Sequence, residues 1–320
     1  MSHPEAIGVD LGGTKLLTGV VDSDLEVHHE SRESSTGASE EEVLKSLEEE
    51  ILEAKAARPD VVAAGIGIPC TIDRERGVAI NAVNLEITDV PIRDLLSERT
   101  GMDVYVDNDA NVAALAEQRF GAAQGASNVV MLTIGTGIGG GVIIDGELYR
   151  GSIGAASEPG HMVIDLNGPP CQGTCPNHGC IESLASGTAL AREGTAAAGA
   201  HPSSALGLAL AREGAVTGKT VTEAAIAGDE AAVEVMTLVG TRLGVGLSSL
   251  ANIFNPDLIV IGGGLIAAGD LLLRPAREEL RERALPPMNQ TPVREAVLGN
   301  DAGMIGAATM ALEESGAVEH

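Results

Sequence analysis

One histidine and three cysteines in the middle of the chain have the residue types of a metal site. His161 is followed by Cys171, Cys175 and Cys180, and glycine and proline residues fill much of the sequence between them. Three thiolates and one imidazole suit tetrahedral zinc, and a site with four protein ligands is structural rather than catalytic. Disulfides are the alternative, but an intracellular chain disfavours them and three cysteines leave one over. The pattern predicts a structural Zn²⁺ site, with His178 as an alternative fourth ligand.

Two glutamates flank this predicted zinc loop. Glu158 lies three residues before His161, and Glu182 lies two residues after Cys180. A rigid metal loop can direct both carboxylates toward a polyol, whose hydroxyl groups pair with acceptor oxygens. In so acidic a chain, solvated surface carboxylates are the alternative interpretation.

Two further carboxylates end a predicted strand, VYVDND. Asp107 and Asp109 lie on either side of Asn108, and a helical pattern begins directly after them. A carboxylate in this position can accept a proton from a substrate hydroxyl group. The alternative role for Asp109 is to cap the helix that follows.

Three glycine-rich loops follow apolar segments: DLGGTK at Asp10–Lys15, GTGIGGG at Gly135–Gly141 and IGGG at Ile261–Gly264. Glycine allows backbone N–H groups to approach an anion closely. GTGIGGG satisfies G-x-G-x-x-G, but a dinucleotide-binding loop requires a helix next, and VIIDGELY has a strand pattern. We therefore predict a hairpin that cradles phosphate. The third loop either contacts a nucleoside or closes a turn.

The elements that position these residues alternate between strand and helix patterns, which indicates an α/β protein. A strand, a glycine loop and a second strand occur near Asp10 and again near Gly135. This weak duplication predicts two similar α/β halves that face each other across a cleft. A length of 320 residues is sufficient for two domains.

The charge balance excludes several classes of partner. The chain has 20 Lys and Arg against 46 Asp and Glu, a formal net charge of −26. Nucleic acids and acidic membranes require a basic footprint, so neither is an expected partner. The acidity and the scarcity of lysine predict adaptation to a salt-rich cytoplasm, because salt screens self-repulsion. No secretory leader or membrane span is expected, which predicts a cytoplasmic location.

Together the motifs resemble the ROK family of sugar kinases and repressors, and within it most of all the glucokinases. The matching segments are DLGGTK, GIPCTID, VDNDAN, TIGTGIGGG, EPGHM, CQGTCPNHGCIES, ASGTAL and NPDLIVIGGG. The resemblance implies an actin-like, ribonuclease-H-like fold of two α/β domains with a cleft between them. The expected domains are residues 1–115 and the larger 116–302, which carries the zinc loop; a helix at about 303–316 is expected to pack on the first.

The resemblance also implies an activity, which is transfer of the γ-phosphate of ATP to the 6-hydroxyl of glucose with Mg²⁺. Asp109 would be the general base, and Asp10 would help to position Mg²⁺. The residues implied in nucleotide and phosphate binding are Asp10, Gly12, Gly13, Thr14, Lys15, Thr136, Gly137, Gly263 and Gly264. Those implied in sugar binding are Asn84, Asn108, Asp109, Glu158, His161 and Glu182. One nitrogen of His161 would bind zinc and the other would donate to a sugar oxygen.

Two of the chain's departures from the family pattern leave alternatives open. Cys171 and Cys175 are separated by three residues where the family commonly has Cys-x-Cys, and LEITDVP lacks an aromatic residue found in many relatives. Fructokinase, N-acetylmannosamine kinase and allose-type kinase activities remain alternatives. A non-catalytic sugar sensor is a remote one, since no helix-turn-helix module is expected before Gly8. Similar proteins imply a homodimer or homotetramer.

Overall fold

The computed structural model describes residues 3–12, 15–34, 39–82 and 85–318. The strands are β1 (Glu5–Leu11), β2 (Lys15–Asp22), β3 (Val27–Ser34), β4 (Ala64–Ile68), β5 (Cys70–Asp73), β6 (Val78–Ala82), β7 (Thr88–Val90), β8 (Val104–Asn108), β9 (Val129–Ile134), β10 (Ile138–Ile144), β11 (Glu147–Leu148), β12 (Leu258–Gly262) and β13 (Val293–Glu295). The helices are α1 (Glu40–Ala57), α2 (Ile92–Thr100), α3 (Asp109–Phe120), α4 (Ile181–Ala185), α5 (Gly187–Ala200), α6 (Ala205–Glu213), α7 (Gly218–Ile226), α8 (Glu230–Phe254), α9 (Asp270–Arg283) and α10 (Ala302–Glu314). The predicted α/β class is confirmed.

The chain forms two compact units. Unit 1 comprises Met1–Gly125, Gly141–Ser157 and Leu298–His320. Unit 2 comprises Ala126–Gly140 and Glu158–Val297. The C-terminal helix α10 therefore belongs to the same unit as the N-terminal strands.

The main sheet of unit 1 brings several of the predicted site residues to one edge. Its order is β3-β2-β1-β4-β8. β1 pairs in parallel with β4, and β4 pairs in parallel with β8, so the carboxyl ends of these three strands meet. Asp10 is the register partner of Gly67, which is in turn the partner of Asp107. Residues at the carboxyl ends of parallel strands are the usual location of ligand sites in α/β proteins.

The two faces of this sheet are covered by different helices. Ile7 and Val9 belong to a buried cluster with Leu47 and Ile51 of α1. On the other face, Ala6 belongs to a cluster with residues of α10. Helix α1 was predicted from its apolar spacing, and a capping box between Ser39 and Glu42 begins it, with each residue satisfying the other's backbone N–H.

Two glycines allow α10 to approach the sheet closely. A Cβ on Gly8 would lie 2.0 Å from Met304 O, and a Cβ on Gly65 would lie 1.8 Å from Ala307 O. Neither carbonyl can move without displacing the helix backbone. Glycine at these strand positions is therefore required by the packing.

We expect Gly65→Ala to lower the free energy of unfolding by about 1–3 kcal/mol, because the added methyl group overpacks this interface. The midpoint of thermal unfolding, followed by circular dichroism, checks this. Gly199→Ala is the matched control, since no heavy atom lies within 4 Å of a Cβ built at this helical glycine. Equal midpoints for the two variants would contradict the close approach described here.

Unit 2 is built on a second sheet and most of the helices. Within this unit the order is β10-β9-β12-β13, with β10 represented by residues 138–140, and β12 pairs in parallel with both β9 and β13. A strand is present where the sequence predicts one instead of a helix, as β10, which begins within GTGIGGG at Ile138. Among the described residues, one helix, α8, is long and apolar enough to cross a membrane, and 61% of its apolar window is buried within the fold.

Candidate active site

The junction of β8 and α3 in unit 1 presents Asp109. Asn108 is the N-cap of α3, and its Oδ1 accepts hydrogen bonds from Ala110 N at 2.9 Å and Asn111 N at 3.3 Å. The alternative assignment of Asp109 as the N-cap is therefore wrong, because the preceding asparagine makes these bonds. Asp109 lies in the first helical turn, where its Oδ1 also accepts from Ala110 N at 2.9 Å.

Burial raises the pKa of Asp109 above the usual range of an aspartate. Burial and, second, the charge of Asp109 raise the pKa of Asp10 to about 7. A raised pKa makes a carboxylate a stronger base near neutral pH. The pair also fits Mg²⁺, which prefers carboxylate oxygens and whose charge would offset the desolvation of both groups.

Asp107 has a structural role in this turn. Its side chain is 1% exposed, and its Oδ2 pairs with Arg74 Nη1 at 3.1 Å and Arg150 Nε at 2.6 Å. Its Oδ1 accepts from Asn108 N at 2.8 Å and Asn111 Nδ2 at 2.9 Å. These contacts occupy the carboxylate and fix the backbone that leads into Asp109. Sequence analysis missed the two arginines, because only the fold brings them to Asp107.

The Gly135–Gly137 loop of unit 2 has its carbonyl groups bound and two of its amides free. Gly135 O accepts from Gly187 N at 2.8 Å, and Thr136 O accepts from Thr188 N at 3.3 Å. The N–H groups of Thr136 and Gly137 have no acceptor within the described part of the chain. Successive free N–H groups in a glycine turn form an anion-binding concavity.

The third glycine loop lies beside this one in unit 2, since Gly262 is the register partner of Thr133. Gly263 has φ 86°, and a Cβ there would lie 2.5 Å from Ile134 O. The loop was predicted either to contact a nucleoside or to close a turn, and the conformation of Gly263 is that of a tight turn.

The four predicted zinc ligands lie together in unit 2. One donor atom from each of His161, Cys171, Cys175 and Cys180 can be chosen so that all four lie within 4.8 Å of one another. Cys171 Sγ is 3.5 Å from His161 Nδ1, and Cys175 Sγ is 3.9 Å from Cys180 Sγ. Three thiols and one imidazole at this spacing fit zinc. Although three residues separate Cys171 from Cys175, Cys171 lies in this cluster. His178, the alternative fourth ligand, is not part of it.

Glu182 connects the predicted zinc loop to the backbone that follows the Gly135–Gly137 loop. Its Oε2 accepts from Ile138 N at 2.8 Å, and Cys171 Sγ donates to its Oε1 at 3.7 Å. A Cβ on Gly137 would lie 2.3 Å from Glu182 Oε2. This contact is absent from the sequence-based interpretation, in which Glu182 binds sugar.

The remaining predicted residues are distributed as follows. Glu158 is exposed and immediately precedes the 3₁₀ turn Pro159–His161, and Gly264 begins another short 3₁₀ turn. Gly12 is described, whereas Gly13, Thr14, Asn84 and the side chain of Lys15 lie outside the described residues.

Comparison with known proteins gives consistent matches along the whole chain. The sequence model of the ROK family matches residues 6–314. A glucokinase of Thermotoga maritima is 38% identical over 319 residues, covering 99% of this chain and 100% of the relative. A putative xylose repressor of Caldicellulosiruptor is 32% identical, covering 96% of this chain and 78% of the repressor. The crystal structure of a ROK family glucokinase from Streptomyces griseus, in complex with glucose and AMPPNP, matches with a TM-score of 0.84 and 36% identity, covering 96% of this chain and 99% of that one.

Proposed function

Because this chain belongs to the ROK family, we propose that it is an ATP-dependent glucokinase that phosphorylates the 6-hydroxyl of glucose. The observation that carries the kinase chemistry is the half-buried Asp109 carboxylate at the start of α3, whose charge acts on the neighbouring Asp10 carboxylate. The choice of glucose is supported by the relatives named as glucokinases, which align over nearly the whole chain.

In the proposed reaction, the oxygen of the sugar hydroxyl attacks the γ-phosphorus of ATP, and Asp109 accepts the proton that this hydroxyl loses. The bond from that phosphorus to the bridging oxygen breaks, and ADP leaves. The free N–H groups of Thr136 and Gly137 stabilise the charge on the phosphate oxygens. When bound, Mg²⁺ supplies further neutralisation of the phosphates, and Asp10 is the residue that would hold it.

The other assignments are proposals of the same kind. We propose that unit 1 and unit 2 are the functional domains of the kinase. The residues proposed to bind nucleotide are Gly12, Gly13, Thr14, Lys15, Thr136, Gly137, Gly263 and Gly264. Those proposed to bind sugar, besides Asp109, are Asn84, Asn108, Glu158, His161 and Glu182. The Cys171, Cys175, Cys180 and His161 cluster is proposed to hold structural zinc, and the protein to act in the cytoplasm as a homodimer or homotetramer.

An assay of ADP release tests the activity directly. The purified protein is incubated with Mg–ATP in molar KCl and with glucose, fructose, mannose, N-acetylglucosamine or N-acetylmannosamine. The highest kcat/KM is expected for glucose. A higher value for another sugar would keep the chemistry but refute the substrate. Sugar binding without turnover would favour a sensor, in line with the repressor relative.

The acidic composition carries a separate prediction about salt. With a formal net charge of −26, the folded chain repels itself most strongly when ions are scarce. The Debye length falls from about 30 Å at 0.01 M salt to about 3 Å at 1 M. We expect both the unfolding midpoint and kcat to rise as KCl increases over this range, measured by circular dichroism and by chromatographic detection of ADP. Full activity and an unchanged midpoint in dilute buffer would refute the adaptation.

A further inference from the structure

Gln172 lies in the interval of the zinc loop that is longer than the family pattern. Its side-chain Nε2 donates to Ser186 Oγ at 3.2 Å and to Thr136 O at 3.4 Å. Its Oε1 accepts from Thr188 Oγ1 at 3.1 Å, and the same hydroxyl is 2.8 Å from Thr136 O. One glutamine side chain therefore joins the zinc loop, the start of α5 and the phosphate loop.

The geometry of the peptide unit makes the Thr136 carbonyl important. In a planar trans peptide, the C=O of one residue and the N–H of the next point in opposite directions. Binding Thr136 O thus fixes the direction of Gly137 N–H, and binding Gly135 O fixes that of Thr136 N–H. These two N–H groups have no acceptor in the described ranges of the chain. The contacts on the carbonyl side consequently determine where the phosphate-binding donors point.

The Gly135 peptide is held by a backbone group, Gly187 N at 2.8 Å. The Thr136 peptide is held mainly by side chains, since Thr188 N is at 3.3 Å and the shorter contact is made by the Thr188 hydroxyl. A hydroxyl has one proton, so Thr188 cannot donate fully to Gln172 Oε1 and Thr136 O at once. The Gln172 amide supplies a further side-chain donor to this carbonyl, at 3.4 Å.

We propose that Gln172 is a positioning residue for the nucleotide phosphates, which acts through the Thr136–Gly137 peptide. The inference rests on the proposed kinase function and extends it, because it assigns a role in nucleotide binding to a side chain of the zinc loop. Cys171, the preceding residue, belongs to the metal cluster, so an ordered zinc loop places Gln172 beside the phosphate loop.

Gln172→Ala tests the proposal, because it should weaken nucleotide binding without changing glucose binding, zinc content or stability. Loss of these hydrogen bonds is expected to weaken binding of AMPPNP about three- to tenfold, measured by calorimetry, and to raise KM for ATP similarly. KM for glucose, the zinc content and the unfolding midpoint should stay at the wild-type values. Thr188→Val should weaken AMPPNP binding too, and the double variant should lose less than the sum of the single losses, because the two side chains share Thr136 O.

Gln290→Ala is the matched control, since this glutamine of unit 2 is exposed and, among the described residues, its side chain bonds only to Asn289 Oδ1, at 3.4 Å. Wild-type AMPPNP affinity in Gln172→Ala, equal rises in both KM values, or loss of zinc would each overturn the proposal. If wild type turns over glucose while Gln172→Ala binds AMPPNP normally, only this inference fails. If wild type phosphorylates no sugar but binds AMPPNP, and Gln172→Ala weakens that binding, the inference stands and the proposed glucokinase activity fails.

Discussion

Asp109→Asn is expected to lower kcat for glucose phosphorylation by about 10²- to 10⁴-fold, the usual contribution of a general base. Asparagine has nearly the same shape but cannot accept the hydroxyl proton. Because Asn108 makes the capping bonds of α3, the helix should still form. Steady-state ADP release gives kcat, and far-ultraviolet circular dichroism reports whether the fold is retained.

The pH profile provides a second readout for this residue. Burial raises the pKa of Asp109, so the wild-type rate should fall on the acid side at a pH above the usual range of an aspartate. Asp109→Asn should remove the contribution of Asp109 to that limb, whereas the contribution of Asp10, whose pKa burial also raises, should remain. Asp94→Asn is the matched control, because Asp94 also lies in the first turn of a helix but is exposed and pairs with Arg93. Near-normal turnover in Asp109→Asn would refute its assignment as the base.

Cys175→Ser is expected to abolish zinc binding and to lower glucose phosphorylation by about 10- to 100-fold. Metal analysis should find about one zinc per wild-type chain and none in the variant. The loss of activity follows from two contacts of the metal loop, Glu182 with Ile138 N and Gln172 with Thr136 O, which shape the phosphate loop. The unfolding midpoint should also fall, since bound metal stabilises only the folded state.

Cys70→Ala is the control that distinguishes loss of a zinc ligand from loss of any cysteine. Cys70 is buried in β5 and belongs to unit 1, whereas the four predicted zinc ligands belong to unit 2. Burial raises the pKa of the Cys70 thiol to about 11. This variant should retain its zinc. A Cys175→Ser protein that lacks zinc but keeps full activity would contradict the structural role of the metal, and loss of zinc from Cys70→Ala would contradict the ligand set.

Local patterns were sufficient to predict the elements that carry their own signals. Helix α1 has a strong apolar period and a capping box, and β9, β10 and β12 are apolar segments that border glycine loops. Strand β3 was not predicted, because VHHESRES lacks apolar alternation and is held by antiparallel pairing with β2. The three short strands β5, β6 and β7 were also missed, since each is too short to show a period.

The candidate site divides in the same way. Residue types and spacing were sufficient to predict that His161, Cys171, Cys175 and Cys180, the four possible metal ligands, lie together. The separate roles of Asp107, Asn108 and Asp109 could not be read from three adjacent polar residues, because they depend on Arg74 and Arg150, which are 33 and 43 positions away from Asp107. The link between Gln172 and Thr136 spans 36 positions and leaves no local pattern.

The placement of α10 in unit 1 has a consequence for folding during synthesis. Residues from Ala302 to Leu312 are buried without interruption, and several of them form a cluster with β1 and β2. While the ribosome makes unit 2, one face of the N-terminal sheet still lacks its helix, and exposed apolar surface of this kind promotes aggregation. Unit 1 is therefore started first and completed last, so a nascent chain that pauses before residue 302 would be a natural substrate for chaperones.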